Sequence, residues 1–85
     1  MENIKSILAQ RELYTVSKGT TIKNVVFYMA EKGVGLVPIM DSGKLIGVFS
    51  ERDLVKRVIA KSKNLDETKV EDVMSTKLII ADVAR

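Results

Sequence analysis

The sequence predicts an α+β domain, a small three-stranded sheet with two helices on one face, in the order β-α-β-β-α. Three observations carry that prediction. Ile22, Val25, Val26, Met29 and Ala30 recur at helical spacing. Two short apolar runs, 36–40 and 44–49, flank the turn Asp41-Ser42-Gly43. A second helical stripe, Leu54, Val55, Val58 and Ile59, starts just after Ser50. Two helices over one face of one sheet form a two-layer domain.

The elements follow along the chain. Ile4, Ile7 and Leu8 predict a short amphipathic helix over 2–10. Residues 13–16, Leu-Tyr-Thr-Val, are rich in aromatic and β-branched types and predict the first strand. Ser17-Lys18-Gly19 is a turn. Thr20 or Thr21 is placed to cap the first long helix, and Gly33 to end it in a left-handed conformation. The Asp41–Gly43 turn requires the second and third strands to be antiparallel. Pro38 cannot donate to a ladder, which suggests an edge strand or an irregularity. Gly47 inside the return strand suggests that something packs closely on the backbone there. Phe27 and Phe49 are assigned to the core. Lys61-Ser62-Lys63-Asn64 ends the second helix, and a linker follows from Leu65.

Composition narrows the function classes. With 85 residues the chain has room for one small domain. It has no Cys and no His, so a disulfide, a thiolate metal site and an imidazole base are all excluded. No Gly-rich phosphate loop and no buried-looking carboxylate pair is present, so an enzyme is not expected. No apolar run reaches the ~20 residues of a membrane span, and the first residues lack the pattern of a secretion signal. A cytoplasmic location is the expectation. The net charge of +3, from 14 basic and 11 acidic residues, is a weak argument for nucleic acid. The basic residues Arg52, Lys56, Arg57, Lys61 and Lys63 belong to one helix and its end, where a solvated face explains them; the alternative is a stripe that steers ligand phosphates or nucleic acid. With four aromatics, Tyr14, Phe27, Tyr28 and Phe49, no stacking platform for single strands is evident.

The tail echoes the head. Ile4, Ile7 and Leu8 recur as Val70, Val73 and Met74, and residues 13–16 recur as 78–81. The echo implies one repeat of ~65 residues and the opening of a second, and a unit that cannot bury its own apolar face needs a neighbour.

The stretch Gly47-Val48-Phe49-Ser50-Glu51-Arg52-Asp53 joins the last strand to the second helix. Ser-x-x-Asp at a helix start is a capping box, in which hydroxyl and carboxylate satisfy backbone N–H groups. The same helix start also favours an anion, and a carboxylate there can accept from vicinal ribose hydroxyls. Arg52 adds a planar fork suited to phosphate oxygens. The two readings are not fully exclusive, because Ser50 can cap the helix in both.

The segments "YTVS", "TTIKNVVFYMAEKGVG", "LVPIMDSGKLIGVFS" and "ERDLVKRVI" resemble the cystathionine-β-synthase (CBS) domain family. "KVEDVMSTKLIIAD" is similar to the linker and first strand of a second such module. The resemblance implies one module over 1–64, with its helical lead-in, and an incomplete second module over 65–85. Gly47, Val48, Phe49, Ser50 and Asp53 match the family's ligand motif. The resemblance implies that Ser50 and Asp53 contact ribose and phosphate, with Arg52 beside them. It further implies an adenine slot formed by Val34, Gly35, Leu36, Val37 and Pro38, with Tyr14 nearby. For Leu36 and Val37 the alternative is plain core packing. The expected ligand is AMP, ADP, ATP or S-adenosylmethionine, bound in a cleft between paired modules and acting on an effector by population shift. No cofactor is expected. A lone module implies a homodimer through its helices. The alternative function is a dimerising interaction module in which Ser-x-x-Asp only caps a helix.

Overall fold

The computed structural model describes residues 14–76. The helix expected over 2–10 and the strand expected over 78–81 lie outside them. Strand β1 is Val16–Ser17, helix α1 is Ile22–Lys32, strand β2 is Leu36–Asp41 and strand β3 is Lys44–Ser50. Helix α2 opens as an α-turn, Glu51–Asp53, and widens into a π-helix over Leu54–Ile59. A 3-10 turn, Val70–Asp72, follows.

The sheet order is β1-β2-β3. β1 runs parallel to β2, with Val16 opposite Ile39, and α1 supplies the crossover that a parallel pair needs. β2 and β3 form an antiparallel hairpin. Its two-residue loop has Ser42 at φ 53° and Gly43 at φ 82°, the positive pair that gives a turn matching the twist of the strands. Thr21 caps α1 by accepting from the Asn24 N–H at 3.3 Å, and Gly33 closes it at φ 68°.

The core is built from one line of α1 (Ile22, Val25, Met29), the inner face of the sheet (Val16, Val37, Ile39, Phe49), Val58 of α2, and Val70 and Val73 from beyond it. Residues 65–73 therefore lie against the module. The Ile22 N–H donates to the Thr68 carbonyl at 2.9 Å, the Lys23 N–H to Leu65 at 3.0 Å, and the Val70 N–H to Thr20 at 2.9 Å. The Gly19 N–H donates to Glu71 Oε1 at 2.8 Å.

Four expectations need correction. Phe27 is not core; it is 63% exposed, because two residues after Val25 the helix has turned ~200° away from the sheet. The first strand is Val16–Ser17 rather than 13–16, and Tyr14 precedes it. Pro38 is not on an edge strand, since β2 lies between its two neighbours. The irregularity falls next to it, where Ile39 faces Gly47 but Met40 faces Leu45, leaving Ile46 as an extra residue on β3. Finally, of the predicted α2 stripe only Val58 is fully buried, while Val55 and Ile59 are 59% and 55% exposed. The bonds Ala60 N–H to Val55 and Lys63 N–H to Val58 are i to i−5, so the helix is wider than the 3.6-residue period assumes.

Candidate functional site

The strand-to-helix junction is ordered by its own side chains. Ser50 ends β3 in an extended conformation, and α2 starts directly after it. Its Oγ accepts from the Asp53 N–H at 3.2 Å. Asp53 Oδ2 in return accepts from the Ser50 N–H at 3.0 Å and from the Ser50 hydroxyl at 3.1 Å. The capping box is complete, and Asp53 is buried. Its other oxygen, Oδ1, lies 3.4 Å from Arg57 Nε, the i, i+4 ion pair that the spacing allows. An Arg57 terminal nitrogen also donates to the Met74 carbonyl at 3.1 Å. Arg52 is exposed at this helix start.

The segment before β2 meets the same junction. The Glu51 N–H donates to the Gly35 carbonyl at 3.0 Å, and Leu36 faces Ser50 across the hairpin. A Cβ on Gly35 would lie 3.0 Å from Glu51 Oε1, so this glycine admits the Glu51 carboxylate against the backbone. A cavity of about 470 Å³ opens beside it, lined by Val26, Met29, Ala30, Gly33, Val34, Gly35, Glu51 and Leu54. That size suits a small ligand.

The expected site residues thus divide. Ser50 and Asp53 are bonded to each other, and Val34 and Gly35 line the cavity with Glu51. Leu36 adjoins Ser50. Val37 and Pro38 are buried in the sheet. The Tyr14 ring lies 5.8 Å from Lys32 Nζ, which is the same distance from the Tyr28 ring. Sequence reasoning missed Val26, Met29, Ala30, Gly33, Glu51 and Leu54 as cavity walls. A signal was available: Val26 and Ala30 stand beside the buried line of α1, on a flank that a second helix has to face. Gly47 has a different occupant from a ligand, since a Cβ there would lie 2.4 Å from Met74 Sδ. Among the described residues no group of three or more Asp or Glu could hold a metal ion, and no helix is long and apolar enough to cross a membrane.

Comparison with known proteins places this geometry in a family. The chain is 36% identical over 76 residues to an uncharacterized protein of Methanopyrus kandleri, covering 88% of this chain and 39% of that one. It is 32% identical over 79 residues to the CBS domain-containing protein YhcV of Bacillus subtilis, covering 93% of this chain and 55% of that one. The chain therefore spans about half or less of the length of these relatives. The CbpB protein of Listeria monocytogenes, solved in complex with c-di-AMP, superposes with a TM-score of 0.64 at 26% identity, over 73% of this chain and 50% of that one. The CBS domain profile matches residues 4–60, and with the β-α-β-β-α core and the Ser50–Asp53 junction in place, the chain belongs to the CBS domain family, whose members are in general regulatory rather than catalytic.

Proposed function

We propose that this chain is a regulatory module that binds an adenine-containing ligand at the Ser50–Asp53 junction. The observation that carries the proposal is the junction itself. It holds a hydroxyl and a carboxylate in one orientation at a helix start, with exposed Arg52 in the same turn. AMP, ADP, ATP and S-adenosylmethionine are the candidates, and the c-di-AMP complex of the Listeria protein adds a dinucleotide of the same chemistry. The adenine would lie along Val34, Gly35 and Leu36, the part of the expected slot that is not buried in the sheet. Since Asp53 Oδ2 already takes two bonds from Ser50, ribose hydroxyls would engage Oδ1, where Arg57 now sits. Binding would act by differential affinity for two arrangements of paired modules, passed to an effector.

Pairing is part of the proposal. A second copy supplies the other half of the cleft, and the exposed apolar Phe27 of α1 and Val55 and Ile59 of α2 support a homodimer through the helices. A second reading, an interaction module without ligand, is favoured by the completeness of the capping box, which gives Ser50 and Asp53 a structural role already.

Thermal melts with and without millimolar AMP, ATP, S-adenosylmethionine and c-di-AMP separate the two. A ligand that binds only the folded state stabilises it by ~2.7 kcal/mol at a hundredfold excess over its dissociation constant. The expected result is a raised midpoint with one adenosine compound, abolished by Asp53→Ala. Unmoved midpoints with all four leave the interaction module as the function.

A further inference from the structure

Ser75 pairs with the edge of β3. The Val48 N–H donates to the Ser75 carbonyl at 2.9 Å, and the Ser75 N–H returns a bond to Val48 at 2.8 Å. Next to this pair Met74 packs on the bare backbone of Gly47. Its carbonyl takes a charged donor, the Arg57 guanidinium, whose Nε faces Asp53 Oδ1. One planar group thus touches the junction and the Met74 carbonyl at once. A guanidinium is planar and its nitrogens are fixed relative to one another, so the ion pair with Asp53 and the hydrogen bond to Met74 constrain a single rigid group.

From this geometry we infer that Arg57 couples the Asp53 carboxylate to the attachment of Met74 and Ser75 on β3. Asp53 Oδ2 is taken by the Ser50 N–H and hydroxyl, so Oδ1 is the oxygen at which a ligand hydroxyl competes with Arg57. A guanidinium that loses Oδ1, or turns to an anionic group at the junction, no longer holds the Met74 carbonyl. What occupies Asp53 then sets how firmly Met74 and Ser75 are held on β3, and by linkage that attachment changes affinity at Asp53 equally. The ligand half of this coupling rests on the proposed function; the link between Asp53, Arg57 and Met74 does not.

Amide hydrogen exchange by NMR on the 85-residue chain tests the link without any nucleotide. Four proteins are compared: wild type, Arg57→Met, Asp53→Asn and the double variant. Exchange at Ser75 and Val48 is read against Met29 in the middle of α1, which corrects for global loss of stability. The expected result is exchange at Ser75 faster by roughly twofold to fivefold in Arg57→Met, the range of a partly exposed charged contact. Asp53→Asn is expected to act in the same direction, and the double variant to be no faster than the faster single. Unchanged exchange at Ser75 in Arg57→Met overturns the inference, and so do independent, multiplying effects of the two substitutions. Because no ligand is present, failure here is distinct from failure of the nucleotide reading.

Discussion

Gly47 is a single hydrogen where any other residue would collide with Met74. A Cβ built there stands 2.4 Å from Sδ and 2.9 Å from Cγ, too close for a terminal methyl swing alone to relieve. Gly47→Ala is therefore expected to cost ~1–3 kcal/mol, as overpacking does. Combining it with Met74→Ala should recover part of that loss, a non-additivity that urea unfolding of the three variants measures. Ser50 and Asp53 act at the same scale but through hydrogen bonds. Asp53→Ala removes two acceptor contacts to Ser50 and the ion pair to Arg57, so it should lower stability by ~1 kcal/mol whether or not a nucleotide binds. Its loss of ligand response, read in the melts, is the separate effect.

At the scale of elements, the two helices use their apolar residues differently. α1 commits Ile22, Val25 and Met29 to the core and turns Phe27 outward. α2 commits Val58 and leaves Val55 and Ile59 outside. These exposed positions contribute little to the fold of one copy, so Val55→Ser with Ile59→Ser should move its unfolding free energy by no more than about 0.5 kcal/mol. Under the proposed homodimer the same pair should shift sedimentation from dimer to monomer. A wild-type chain that sediments as a monomer at high concentration would remove the homodimer from the proposal. The period of α1 was readable because its bonds follow the ordinary helix. That of α2 was not, because the switch to i, i+5 bonding leaves no mark in the residue types.

For the whole molecule, the boundary of the folded unit extends past the second helix. Val70 is fully buried and Val73 nearly so, and both join the core cluster. Burying a valine contributes ~1.5–3 kcal/mol. A small domain of this length has a total stability on the order of 4–13 kcal/mol at 0.05–0.15 kcal/mol per residue. Removing residues 65–85 should therefore abolish the cooperative melt followed by circular dichroism. A truncated chain that still unfolds in one sharp transition near the original midpoint would show that these valines are dispensable. The link from Arg57 to Met74 gains its meaning at this scale, since it joins the helix start to the same docked segment.

The sequence by itself determined the order of elements, the Ile22, Val25 and Met29 line of α1 (though not Ala30, which is exposed), the tight Asp41–Gly43 turn and the cap at Ser50. Each rests on contacts between residues close along the chain, so periodicity and turn chemistry suffice to read them. It also marked Gly47 as a place of close approach. Tertiary structure alone decided that Met74 makes that approach, that Val70 and Val73 fill the core, and that Phe27, Val55 and Ile59 do not. It alone gave the Asp53 carboxylate a bridge through Arg57 to Met74. Those outcomes depend on which surfaces meet across long stretches of chain, and an apolar side chain carries no label for the face that will cover it.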